Sequence, residues 1–193
     1  MRVSKEKAAQ NRDALLQAAS QLFREHGIDG VGVADIARAA GLTHGALYAH
    51  FPSKEALAAA ALGEGLKQGQ AAMQQAVGDA PSLAGYLDFL FSPRMRDSLG
   101  GGCALAASAS EIGRQGEAVC ARFTQGFLGM AGALEATLNP ALPAAERQRL
   151  SYAVVAAQIG AIAAARGVAK TDPALADAIL GAVRGLFEAN PAV

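Results

Sequence analysis

The stretch that decides the fold reads AGLTHGALYAHFPSKEAL and spans residues 40–57. Residues 33–40, the last of which begins this stretch, have the apolar spacing of about two helical turns. Gly41 follows them, at a point where a chain that turns sharply favours a residue tolerant of positive φ. Thr43 is then a good N-cap for a second short helix over residues 44–51. Two short helices joined by a turn that contains glycine are typical of the helix-turn-helix, whose second helix enters the major groove of DNA.

On the second helix, Leu47 and Phe51 share one face and are expected to pack inward, which leaves the other side chains to meet DNA. The helix has no Arg, Asn or Gln, the side chains that make bidentate contacts with bases, so we expect Thr43 and His44 to contact bases. Residues with little bulk would let the backbone approach the groove wall, and residues with hydrogen-bond donors would contact phosphate oxygens. The first group is Gly45 and Ala46, and the second is Tyr48, His50 and Lys54.

The residues on both sides of this motif give it a family resemblance. The segments LFREHGIDG, residues 22–30, and DIARAAGLTHGALYAHFPSKEAL, residues 35–57, resemble the DNA-binding domain of the TetR family of transcriptional repressors, with the same spacing throughout. The resemblance implies an all-α protein with a three-helix DNA-binding domain, residues 1–52, and a larger helical ligand-binding and dimerisation domain, residues 53–193. It further implies a homodimer that binds a palindromic double-stranded DNA operator and is released by a small-molecule inducer.

The chain departs from the family pattern at the start of the first helix of the motif. Family members usually have Thr at one or both positions there, where the hydroxyl caps the helix and meets a phosphate, but this chain has Gly32 and Val33. Glycine is a fair cap with a free N–H, so both positions remain candidates for DNA contact. Residues 1–12 hold four basic residues, Arg2 and Lys5 among them, and one acidic residue. A basic arm of this kind suits a minor groove or phosphate contact.

Helical periodicity dominates the whole chain, and no alternating strand pattern of useful length is present. The segment over residues 11–27 carries one apolar stripe and ends at a glycine. With the two helices of the motif, the sequence predicts about nine helices. The six later ones are expected near residues 53–76, 82–91, 103–114, 117–138, 144–166 and 172–188.

Composition excludes several classes of protein. Hydrophobic residues make up 52% of the chain and charged residues 18%, so it should fold. Every long apolar run contains Arg, Gln, Asp or Glu, and the basic N-terminus has no apolar signal core, so we expect a cytoplasmic protein without membrane association. A formal net charge of zero disfavours a protein that coats DNA without regulating it.

The sequence carries no catalytic or metal-binding pattern. The histidines all lie within residues 26–50, at spacings unsuited to a metal site, and two cysteines cannot form a disulfide framework or a metal site alone. The later glutamates Glu111, Glu117 and Glu135 have the spacing of ordinary solvated charges. We therefore expect no enzyme activity, no metal and no cofactor.

The last two helices are rich in Ala and Gly, which lets helices approach closely. In the final helix an apolar stripe runs from Leu175 through Ile179 and Val183 to Leu186. Such a stripe is consistent with an internal core helix. The family resemblance favours instead a four-helix bundle made by the last two helices of two chains.

The inward faces of the middle helices supply candidates for a ligand pocket. They are mostly apolar with few polar anchors, which favours an uncharged or weakly polar hydrophobic compound over a sugar or a phosphate. The candidates are Leu66, Met73, Leu87, Phe91, Met95, Cys103, Phe123, Phe127, Met130 and Gln158.

Two features of this region have more than one interpretation. Cys103 follows three glycines at the start of a helix, where a thiol can be a reactive sensor of oxidants or electrophiles, or simply a small apolar part of a pocket wall. Gly63, Gly65 and Gly69 lie within one predicted helix, where they either soften it or allow close packing.

Overall fold

The computed structural model describes residues 4–78 and 81–189. This part of the chain contains no strand and folds into α-helices throughout, as the periodicity predicts. The described ranges hold ten helices: α1 (Lys5–His26), α2 (Val33–Ala39), α3 (His44–His50), α4 (Lys54–Val77), α5 (Leu83–Leu90), α6 (Pro93–Asp97), α7 (Ala104–Ile112), α8 (Glu117–Glu135), α9 (Ala144–Val168) and α10 (Pro173–Glu188).

The helix beyond the expected number is α6, at a point where Ser92 and Pro93 look like a break in the sequence. Proline is tolerated in the first turn of a helix, because its missing N–H would have no intrahelical partner there. The Ser92 side chain caps this turn by accepting a hydrogen bond from the N–H of Met95. The same two residues therefore start a helix of five residues instead of only ending the preceding one.

The N-terminal helices α1 to α3 pack around one apolar cluster, with Leu15, Ile36 and Leu47 fully buried. This cluster continues into the first half of α4 through Leu57 and Leu62. A division of the chain at residue 52 therefore lies within a continuous core, and it stays a prediction.

The helix α1 begins earlier than its apolar stripe suggests. Ser4 is its N-cap and accepts a hydrogen bond from the N–H of Lys7, so Lys5 lies in the first helical turn. The basic residues expected to form an arm are thus helical from Lys5 onward, because a serine cap and a run of good helix formers extend α1. Arg2 lies outside the described residues.

The remaining helices form a second apolar cluster, in which α9 packs against α7, α8 and α10. Two arginines tie the short α6 to this assembly. Arg96 is buried and pairs with Asp97 and with Asp177 of α10. Arg166 of α9 donates hydrogen bonds to the backbone carbonyls of Met95 and Arg96, at 2.9 and 2.8 Å.

By length and composition alone, α9 could cross a membrane, since an eighteen-residue window has a mean hydropathy of 1.3. The sequence expectation was that Arg, Gln, Asp or Glu interrupts every long apolar run, and in α9 the polar residues Gln158 and Arg166 lie within the run. In the fold both polar side chains are used inside the protein, Gln158 being fully buried and Arg166 bound to backbone carbonyls. The core helix of a soluble protein meets the same criteria of length and hydropathy.

Candidate DNA interface and ligand cavity

The turn between α2 and α3 has the geometry that its sequence predicts. Gly41 has a φ of 67°, the left-handed conformation that favours glycine. The N–H of Leu42 donates to the carbonyl of Ala37 at 2.8 Å, which closes the end of α2. The Thr43 hydroxyl then caps α3 by accepting the N–H of Ala46 at 3.2 Å. The two helices are therefore held at a defined angle by local hydrogen bonds.

The helix α3 presents one polar face to solvent. Leu47 is fully buried and Phe51 nearly so, so they fix the helix on α1 and α2. Tyr48 is 46% exposed, and its ring makes an edge contact with the ring of exposed His44, with centroids 5.1 Å apart. Among the other predicted DNA contacts, Thr43 and Gly45 are exposed, whereas Ala46 and His50 are half-buried.

Two helix starts lie on either side of α3 in the chain. Ser53 caps α4 through the N–H of Ala56, and half-buried Lys54 is the first residue of that helix. Gly32 is the N-cap of α2 and provides no side-chain hydrogen bond, and Val33 is the first residue of that helix. The N–H groups of a first helical turn have no intrahelical partner, which makes such a terminus suited to an anion.

A cavity of about 360 Å³ lies between α4, α8 and α9 and reaches the start of α7. This volume lies in the range of small-molecule sites, roughly 300–1,000 Å³. Six of the ten predicted pocket residues form part of its wall: Leu66, Met73, Met95, Cys103, Met130 and Gln158.

The other four predicted pocket residues do not line the cavity. Leu87 and Phe91 are buried in the second apolar cluster, where the rings of Phe91 and Phe187 stack with their centroids 6.4 Å apart. Phe123 is partly buried against both apolar clusters, and Phe127 makes an edge contact with the ring of Tyr152. Helical periodicity identifies the inward face of a helix, but it does not tell whether another side chain fills the space opposite.

Sequence reasoning missed the glycines and polar residues of the wall. Gly126 of α8 lies so close to α4 that a Cβ there would be 2.6 Å from the Leu66 side chain. Gly69 of α4 has no neighbour within 4 Å of such a Cβ, so it leaves space. Exposed Lys67 and Arg122 also contribute to the wall, on its solvent side. The glycines of the long helices α4 and α8 were the available signal, since they mark a place where helices come close or a cavity remains.

Cys103 connects the cavity wall to a helix start. It is the N-cap of α7, and its sulfur accepts the N–H of Ala106 at 3.4 Å. The thiol in turn donates to Gln158 Oε1, with the sulfur and oxygen 3.8 Å apart. Both side chains are buried, so these contacts lie inside the protein.

Glu111, near the other end of α7, reaches the N-terminal helices. The sequence suggested a solvated charge, but this side chain is buried because α7 packs against α1. Both of its carboxylate oxygens lie 2.9 Å from the buried N–H of Ile28, in the loop after α1. The preceding Gly27 has a φ of 79°, and a Cβ there would lie 3.0 Å from the carboxylate. The helix α7 therefore joins the cavity wall to the N-terminal helices.

Comparison with known proteins agrees with this geometry. Residues 15–61 match the family model described as "Bacterial regulatory proteins, tetR family". The HTH-type transcriptional repressor BepR of Brucella suis is 46% identical over 54 residues, which are 28% of this chain and 26% of that protein. The HTH-type transcriptional repressor KstR2 of Mycolicibacterium smegmatis is 49% identical over 47 residues, 24% of this chain and 23% of that protein. The chain thus matches about a quarter of the length of these curated relatives.

The similarity to solved structures extends over nearly the whole chain. A TetR-family transcriptional regulator from Cytophaga hutchinsonii aligns with a TM-score of 0.77 and covers 97% of each chain. The sequence identity is 21%, so this match shows a shared fold.

Proposed function

Because this chain belongs to the TetR family of bacterial regulatory proteins, we propose that it is a transcriptional repressor that binds a palindromic operator as a homodimer and is released by a small, mainly hydrophobic ligand. The observation that carries this proposal is the match over residues 15–61, since these residues form a helix-turn-helix with one polar face exposed. The relatives that it matches are named as regulators and not as enzymes. We assign the DNA-binding domain to residues 1–52, the ligand and dimer domain to residues 53–193, and the protein to the cytoplasm.

In the proposed complex α3 lies in the major groove. Thr43 and His44 contact bases, Gly45 and Ala46 allow close approach, and Tyr48 contacts phosphate. The Thr43 hydroxyl accepts a hydrogen bond from the N–H of Ala46 and keeps its own hydrogen free to donate to a base. His50 and Lys54 supply further phosphate contacts, with Gly32 and Val33 at the start of α2 and Lys5 at the start of α1. DNase protection of the region beside its own gene should reveal an inverted repeat; a lack of protection at micromolar protein would contradict the proposal.

Dimerisation through α9 and α10 is supported by a face that has no partner within the described chain. On α9 this face is made of small exposed residues, among them Ala156, Gly160 and Gly167. On α10, Leu175 is 45% exposed and Leu186 is 73% exposed. A single short helix reads few bases, and a twofold dimer would set two recognition helices about one DNA turn apart, roughly 34–36 Å.

A matched pair of glycine variants tests this interface. Neither Gly160 of α9 nor Gly132 of α8 has an atom within 4 Å of a built Cβ, so each can accept a long side chain without disturbing its own chain. Light scattering should find Gly160→Arg monomeric and Gly132→Arg dimeric. A dimeric Gly160→Arg variant would contradict the proposed interface.

Release of DNA requires a path from the cavity to the DNA-binding helices, and two helices supply one. The helix α4 begins at Lys54 and lines the cavity from Gly63 to Met73. The helix α7 begins after its N-cap Cys103 on the cavity wall and carries Glu111 near its other end. A ligand that favours the DNA-free arrangement of these helices weakens DNA binding, and DNA weakens ligand binding by the same factor. Of the two interpretations of the α4 glycines, close packing fits Gly65, which has side chains of α1 and α7 within 3.3 Å of a built Cβ.

A second mode of release is favoured by the position of Cys103, whose thiol lies on the cavity wall at a helix N-terminus. In this alternative, oxidants or electrophiles modify the thiol and release the operator. Treatment with iodoacetamide, followed by mass spectrometry and operator titration, separates the two modes. Release that needs Cys103 alkylation supports the sensor, and full release of a Cys103→Ser variant by an unreactive hydrophobic compound supports the ligand-responsive repressor.

A further inference from the structure

One polar group on the cavity wall is unused by the protein. Gln158 is fully buried in the middle of α9, and its side chain lines the cavity. Within the described residues its Nε2 has no hydrogen-bond partner. Burying an amide N–H₂ without a partner is unfavourable by about as much as a lost hydrogen bond, so such groups are rare in folded proteins and call for a functional explanation.

The orientation of the Gln158 amide follows from its neighbour. The Cys103 sulfur already accepts the N–H of Ala106, so the thiol hydrogen is available for donation. It is donated to Gln158 Oε1, which leaves both Nε2 hydrogens of this wall residue without a partner. At this point of the wall the amide therefore has two unused donor hydrogens, while its oxygen already accepts one hydrogen bond.

The rest of the wall limits what can accept these hydrogen bonds. Around the buried part of the cavity lie Met73, Leu90, Met95 and Leu105, all apolar, so a ligand body packed there is apolar too. A carboxylate buried against a neutral amide would lose more hydration than one amide returns. A sugar would need partners for several hydroxyls, which these side chains do not have. A single neutral acceptor oxygen fits.

We propose that the cavity takes an apolar molecule with one neutral carbonyl oxygen, such as a ketone, aldehyde or ester, which accepts a hydrogen bond from Gln158 Nε2. This inference rests on the proposed function, because it names the chemical class of the ligand that would release the operator. Gln158 thereby determines specificity, since a hydrocarbon of the same shape would bury the amide without a partner.

The test uses two probes of nearly equal shape, 2-acetylnaphthalene and 2-isopropenylnaphthalene, in which a methylene group replaces the carbonyl oxygen. Calorimetric titration of the full chain should give on the order of tenfold tighter binding of the ketone. Gln158→Met, which keeps a long unbranched side chain, should bind both probes equally. Gln125→Met is the matched control, because Gln125 also lines the cavity but is exposed, and it should keep the preference.

A melting experiment separates this role from a structural one. If Gln158 serves the ligand, Gln158→Met removes an unpaired buried donor, so the free variant should melt no lower than the wild type. Gln158→Leu serves as a second variant with the same expectations. Any of three results would overturn the inference. The wild type could bind both probes equally, the preference for the ketone could survive in Gln158→Met, or neither probe could bind. Operator titration of the wild type is run alongside: failure there refutes the proposed function, whereas operator binding without ketone preference refutes only this inference.

Discussion

Replacing Glu111 by Ala breaks the contact that joins α7 to the loop after α1. The carboxylate accepts the buried N–H of Ile28 through both oxygens, each at 2.9 Å, and the substitution leaves that N–H without a partner. An unsatisfied buried donor costs about 1–3 kcal/mol of stability. For a chain of this length, 1 kcal/mol corresponds to about 2–4 °C in melting temperature, so a loss near the middle of the range lowers it by about 6 °C.

Differential scanning calorimetry measures this loss directly. Glu111→Gln keeps one oxygen acceptor and should lie between Glu111→Ala and the wild type. Asp13→Ala is the matched control, because Asp13 is an exposed acidic residue of α1 and its removal changes the net charge by the same amount. If Glu111→Ala melts within 1 °C of Asp13→Ala, a shift well below the smallest loss expected for a buried unpaired N–H, the contact does not stabilise the protein as reasoned here.

The same variant bears on regulation. Because α7 also carries Cys103 on the cavity wall, loosening its other end should weaken the link between ligand and DNA. Glu111→Ala should therefore still bind the ligand, but the ligand should reduce its operator affinity less than it does for the wild type. An unchanged ratio of operator affinities with and without ligand would leave α4 as the path of the signal.

Three further predictions concern single side chains. Lys54→Ala should weaken binding to all DNA sequences alike and reduce the slope of log affinity against log salt concentration by about 0.9. Titrations of operator and random duplex at several salt concentrations measure this, and a loss of affinity for the operator alone would contradict it. His44→Ala should instead change the preferred operator, and an unaltered preference in a selection from randomised DNA would count against its role in base contact. Gly65→Leu should lower the free energy of unfolding, measured by urea denaturation, by about 1–3 kcal/mol, because a Cβ there lies 3.1 Å from Ser20 Oγ. Gly69→Leu is the control, because no atom lies within 4 Å of a Cβ at Gly69. Equal losses in the two variants would refute this account of α4 packing.

The N-terminal helices could be predicted because their structure is encoded locally. Gly41 permits the left-handed turn, and the Thr43 hydroxyl caps the next helix with a partner three residues away. Leu47 and Phe51 share a face by spacing alone, and both are buried. Each of these features depends on neighbouring residues in the chain, which the sequence displays directly.

The cavity could be predicted only in part, because it depends on how distant helices meet. Met73 and Gln158 face it, whereas Leu87 has the same inward periodicity but packs into a filled core. Whether an inward face meets a side chain or an open space is decided by the residues of another helix, such as the glycines of α8. Spacing within one helix carries no information about this.

Glu111 was misread for a related reason. Its spacing in the sequence resembles that of solvated glutamates, such as exposed Glu117. The partner of Glu111 is a backbone N–H of Ile28, 83 positions away in the chain. A backbone donor leaves no complementary side chain in the sequence, so no pattern of charges could have revealed this contact.

The central claim is that two copies of this chain read an inverted repeat through α3. Its most direct test is selection of the full-length protein on randomised double-stranded DNA, with native mass spectrometry of the complex formed on the enriched sequence. The account predicts enrichment of a sequence with twofold symmetry, bound by two chains. Enrichment of no sequence, or of an asymmetric site bound by a single chain, would contradict it.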